Sequence, residues 1–94
     1  MMSITFTEGT RVPPDVLVRE LDGESVILNL NTERYFGLNE MGTRMWSALT
    51  QSTSIQAAYE TLLTEYDVDA DLLRQDLQHL VEQLIEHGLV EIHS

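Results

Sequence analysis

The residues most able to do chemistry are three histidines, at positions 79, 87 and 93. Their spacings of eight and six match neither the i, i+4 pairing nor the helix-plus-loop triads of zinc sites, so they read as solvated helix-face residues. Asp76 and His79, three apart, could be a base and its orienter. No serine or threonine at helical spacing completes a nucleophilic set, and the two read instead as a helix-surface ion pair. Asp67, Asp69 and Asp71 alternate like the start of a calcium loop. Leu72 stands where that loop needs glycine and no glutamate falls at its twelfth position, which leaves helix capping. The five glycines (9, 23, 37, 42 and 88) are scattered, so no phosphate-cradling loop exists, and the absence of cysteine removes thiolate chemistry. These residues predict no enzyme, no metal and no organic cofactor.

The elements that carry them read as strands first and helices afterwards. Ile4 and Phe6 lie in a polar arm, and Pro13 and Pro14 impose extended backbone that separates this arm (residues 1–14) from the rest. Val16 to Leu21 is a short β-rich run, Asp22-Gly23 supplies the positive φ of a tight hairpin, and Ser25 to Asn31 follows with Val26, Leu28 and Leu30 on one face. After a second turn, Tyr35 to Leu38 makes a third strand, too short to be other than an edge or a cap. From Asn39 the apolar period becomes 3.6, with Asn39 as cap and Met41, Met45, Trp46 and Leu49 as the buried stripe. Ser54 caps a second helix carrying Ile55, Ala58, Tyr59, Leu62 and Tyr66. Asp69 caps a third, with Leu73, Leu77, Leu80, Val81 and Leu84 in one arc and Leu72, Asp76, His79, Gln83 and His87 on the adjacent flank. Gly88 ends it, and Leu89 to Ile92 can run back against the sheet. The expected fold is α+β, one domain in the order β-β-β-α-α-α.

Ninety-four residues allow a single core. A formal charge of −11 with no lysine opposes phosphate binding, so nucleic acid is not an expected partner. Residues 60–94 hold nine acids and only Arg74, which places most of the negative field in the last third. No apolar run exceeds three residues, which predicts neither signal peptide nor membrane span and makes a cytoplasmic domain the default.

Edge strands expose unpaired amides and carbonyls and are usually blunted by lysine, proline or an inward charge. Tyr35-Phe36-Gly37-Leu38 has none of these. Either the two aromatics are core, or the edge accepts a strand from a partner.

Several runs resemble the coenzyme PQQ synthesis protein D family. They are Leu21 to Glu24, Val26 to Asn31, Arg34 to Gly42, Trp46 to Leu49, Tyr66 to Asp69, Asp76-Leu77, Leu80-Val81 with Leu84, and Gly88 to Val90. The resemblance spans about residues 11 to 92. It implies a compact winged helix-turn-helix with a three-stranded sheet that binds the leader peptides of ribosomally made precursors and presents them to a modifying enzyme. It further implies that the leader lies as an added strand between the third strand and the third helix. That sets the docking edge at Tyr35, Phe36, Gly37 and Leu38, and the facing wall at Asp76, His79, Leu80 and Gln83. The aromatic run at 35–36 is closer to the stand-alone recognition proteins of lasso-peptide and related clusters than to the protein serving PQQ. A radical-SAM enzyme or a leader peptidase would be the second partner, and the open edge or the arm could also give a homodimer. Two readings compete: a winged-helix nucleic-acid binder, disfavoured by five acids and one arginine from Asp69 to His87, and a structural oligomerisation domain using the same edge.

Overall fold

The computed structural model describes residues 4–93. The chain runs β1 (Gly9–Arg11), β2 (Val16–Leu21), β3 (Glu24–Asn29), β4 (Arg34–Leu38), α1 (Glu40–Gln51), α2 (Ile55–Glu65), α3 (Ala70–Glu86) and β5 (Glu91–His93). Strands β2, β3 and β4 form an antiparallel sheet in that order, and β1 pairs with β5 in a second, two-stranded one. The α+β class, the three-stranded sheet and the three helices follow the expectation; the extra strand pair does not.

Local chemistry explains the boundaries. Asp22 and Gly23 have φ of 54° and 83°, the doubly positive turn that matches the twist of a two-residue hairpin. Each helix starts on a side-chain oxygen that accepts an orphan amide: Asn39 from Gly42 at 2.8 Å, Ser54 from Ala57 at 3.0 Å and Asp69 from Leu72 at 2.9 Å. Helix α2 ends at Glu65, one residue short of Tyr66, which becomes its C-cap. Helix α3 buries the expected arc Leu73, Leu77, Leu80, Val81 and Leu84.

The face of β3 differs from the expectation. Ser25, Ile27 and Asn29 point inward, while Val26 and Leu28 point outward and Leu30 is exposed beyond the strand. Both sets alternate, and long-range bonds decide between them. Ser25 Oγ lies 2.8 Å from Thr43 Oγ1 in the buried interior, and Asn29 Nδ2 donates to the Gly88 carbonyl at 2.7 Å while its Oδ1 accepts the Asn31 and Thr32 amides. Buried polar groups are tolerated where they are partnered in this way.

The arm is not separate. Phe6 is buried, its carbonyl accepts from the Gln56 amide at 2.7 Å, and the Glu8 carbonyl accepts from Ile55 at 2.8 Å. Tyr59 packs edge-on against the Phe6 ring and the Arg74 guanidinium sits 3.9 Å from its centroid. Residues 91–93 pair with this segment, Gly9 opposite His93, rather than returning to the three-stranded sheet. A Cβ on Gly9 would come 2.7 Å from the Thr53 carbonyl, so only glycine fits the close approach. Arg44 on α1 holds Glu65 at the end of α2 through Nε at 2.7 Å; that bond lowers the Glu65 carboxyl pKa and raises that of Arg44.

Candidate functional site

Among the described residues, strand β4 has β3 on one side and no strand on the other. A turn closed by Leu21 and Glu24 makes these a hydrogen-bonded pair, after which hydrogen-bonding direction alternates residue by residue. In that alternation Ser25, Ile27 and Asn29 face β4, so their partners Leu38, Phe36 and Arg34 spend their backbone groups on β3. Tyr35 and Gly37 are left with N–H and C=O directed to the open edge. Side chains alternate in the same two-residue period: Phe36 and Leu38 go to the inner, helical side, and Tyr35, 71% exposed, goes to the outer side.

Beside this edge runs a groove. Its lining comes from β4 and its exit (Phe36, Gly37, Leu38, Asn39), from α1 (Met41, Gly42, Met45) and from α3 (Leu80, Gln83). Phe36 closes one end, its ring centroid 5.1 Å from that of His87, whose Nδ1 is 2.9 Å from the Gln83 carbonyl. The chemistry on offer is two free backbone positions alongside an apolar trough with flexible methionine walls, which suits an extended peptide with apolar side chains at alternate positions.

Of the residues singled out from sequence, Phe36, Gly37, Leu38, Leu80 and Gln83 come together in this groove. Asp76 and His79 lie on the same α3 flank, exposed and outside the lining. Among the described residues the ion pairs are Arg11–Glu91 and Arg44–Glu65, so the expected Asp76–His79 pair does not form. Tyr35 offers only its backbone to the groove side. Sequence reasoning assigned Met41 and Met45 wholly to the core; Met41 is only half-buried, and their i, i+4 spacing just after the edge strand was the available signal. Among the described residues no three His, Asp or Glu side chains are grouped so as to hold a metal ion.

Comparison with known proteins gives three findings. No curated protein matches the chain. Two solved structures share its fold. One is TbiB1 in complex with the TbiA(beta) leader peptide, 31% identical over 86% of this chain and 94% of that one, with a TM-score of 0.79. The other is a lasso peptide synthetase B1 complexed with the leader peptide, 26% identical over 87% of this chain and 96% of that one, with a TM-score of 0.76. A sequence model of coenzyme PQQ synthesis protein D matches residues 24–90, the stretch that contains the open edge, the groove and all three helices. The chain therefore belongs to the coenzyme PQQ synthesis protein D family.

Proposed function

We propose that this protein is a non-catalytic recognition element that binds the leader peptide of a ribosomally synthesised precursor as an added strand along β4 and presents it to a modifying enzyme. The observation that carries this reading is the open β4 edge set beside an apolar groove, in a fold shared with two proteins solved with leader peptides bound. Tyr35 and Gly37 supply backbone hydrogen bonds; Phe36, Leu38, Met41, Met45 and Leu80 receive alternate leader side chains; Asp76, His79 and Gln83 meet polar leader groups along α3. The second partner is a maturation enzyme, a radical-SAM protein or a leader peptidase, acting in the cytoplasm where such precursors are made. No described helix is long and apolar enough to cross a membrane. A winged-helix DNA binder would need a basic recognition helix, and the acids of α3 oppose phosphate.

The test is calorimetric titration with the leader segment of a candidate precursor peptide, combined with amide shift mapping. Leader addition is expected to move the amides of 35–38 and the groove side of α3. Asp76→Ala, His79→Ala and Gln83→Ala, each at a surface position, are expected to weaken binding by roughly 0.5–2 kcal/mol where a hydrogen bond to the leader is lost, with little change in melting temperature. Shifts confined to α2, with β4 and α3 silent, would defeat the strand-addition mechanism.

A further inference from the structure

Of the chain's five glycines, four have a reason within the fold. Gly23 and Gly88 have φ of 83° and 72°, and a Cβ on Gly9 or Gly42 would come 2.7 Å or 3.1 Å from a neighbouring atom. Gly37 has neither reason. It lies inside β4 without a positive φ, and a Cβ there would meet nothing within 4 Å. A glycine within a strand forgoes side-chain packing and costs conformational entropy, and it marks a place where a ligand or another backbone comes close. The fold itself does not call for glycine at this position.

What comes close follows from the sheet. Gly37 turns its N–H and C=O to the open edge, and residues level with one another on adjacent strands carry their side chains to the same face. A strand added to β4 therefore sets one residue level with Gly37. Its side chain goes to the outer face, while those of its two neighbours enter the groove beside Phe36 and Leu38. On the outer face Gly37 is level with Val26, and Val26 with Arg19. Gly37 and Val26 line a dent of about 460 Å³ that also takes in Leu21, Arg19, Glu24 and Leu38. Val26 is 45% exposed, and among the described residues Arg19 is in no ion pair. Arg19 stands three strand spacings, about 14 Å, from the added residue, a gap that an arginine and an aromatic side chain close from either side. An aromatic ring reaches across the glycine onto Val26 and offers its face to the guanidinium; a short aliphatic side chain stops above Gly37.

We propose that Gly37 is a specificity residue: its missing side chain admits an aromatic ring from the leader residue paired with it. The recognised segment then reads apolar, aromatic, apolar, the outer two side chains in the groove and the middle ring lying over Gly37 against Val26 and Arg19. This inference rests on the leader reading and adds a substrate requirement to it.

The experiment is an alanine scan of the leader segment of a candidate precursor peptide, titrated by calorimetry against the unaltered protein and Gly37→Val, with amide shift mapping and leader-free thermal melts. Without leader, Gly37→Val is expected to raise the melting temperature by about 2–8 °C, because a β-branched side chain replaces glycine in open space. It is expected to weaken leader binding about tenfold, and Gly37→Ala to fall between the two. One aromatic leader position is expected to cost about tenfold on alanine substitution with the unaltered protein and less than about twofold with Gly37→Val, the non-additivity of a shared contact. Arg19→Gln is expected to weaken the aromatic-bearing leader about threefold and the alanine-substituted one not at all. Unimpaired binding by Gly37→Val, additive losses across the scan, or a lowered melting temperature would overturn this inference while shifts at 35–38 still upheld strand addition. Titrations that leave those amides unmoved would overturn the leader reading, and this inference with it.

Discussion

Tyr35 and Phe36 are neighbours in the chain and belong to different surfaces. Phe36 fills the groove and spends its amide on β3, whereas Tyr35 points outward and turns its amide to the open edge. Proline scanning separates these roles. Gly37→Pro removes an amide that faces no strand, at the one kind of sheet position where proline is tolerated, so leader affinity is expected to fall about tenfold while stability changes by less than about 1 kcal/mol. Phe36→Pro breaks the β3 ladder and empties part of the groove, and a loss of about 3 kcal/mol or more is expected in denaturant unfolding. Equal destabilisation by the two prolines would mean that the alternation along β4 is shifted by one residue.

At the scale of elements, the packing of α2 against α1 is tied by Arg44 and Glu65. Because its folded-state pKa is lowered, the Glu65 carboxyl stabilises the fold at pH values above its unfolded pKa, and that contribution is lost as pH falls through the folded value. Glu65→Gln is expected to lower the melting temperature at neutral pH and to converge with the unaltered protein in acid, which a pH series of thermal melts would read. The elements themselves were largely legible in sequence where the cause is local. The Asp22-Gly23 turn, the caps Asn39, Ser54 and Asp69 and the arc of α3 are all set within a few residues. The inward face of β3 was not, because Val26, Leu28 and Leu30 form the greasier alternating set. The choice of Ser25, Ile27 and Asn29 depends on Thr43 and on the Gly88 carbonyl, 18 and 59 residues away. The same distance effect hid β1 and β5, whose paired residues are some 80 positions apart. For the site, the edge strand was visible in residue types and the α3 wall only through the family resemblance, while the methionine wall was masked by its likeness to an ordinary core stripe.

For the whole molecule, the small core makes each large buried ring matter. Phe6 joins the amino-terminal segment to α2 and α3 through Tyr59 and Arg74, and a chain of this size has only about 5–15 kcal/mol of net stability to lose. Phe6→Ala is expected to destabilise by about 3 kcal/mol in denaturant unfolding, with the leader affinity of the molecules that stay folded unchanged. An effect below about 1 kcal/mol would show that the segment is an accessory to the core.

The antiparallel clasp of β1 with β5 sets Gly9 against His93, so the first and last strands of this unit lie side by side, about 5 Å apart. A unit whose first and last strands are paired is expected to tolerate insertion into a surface loop of a host protein, because the loop's two ends already lie close together. The strand pair that sequence reasoning overlooked thus makes the same architecture serviceable either as a free-standing protein or as an insert, the difference residing in what is joined to the clasp.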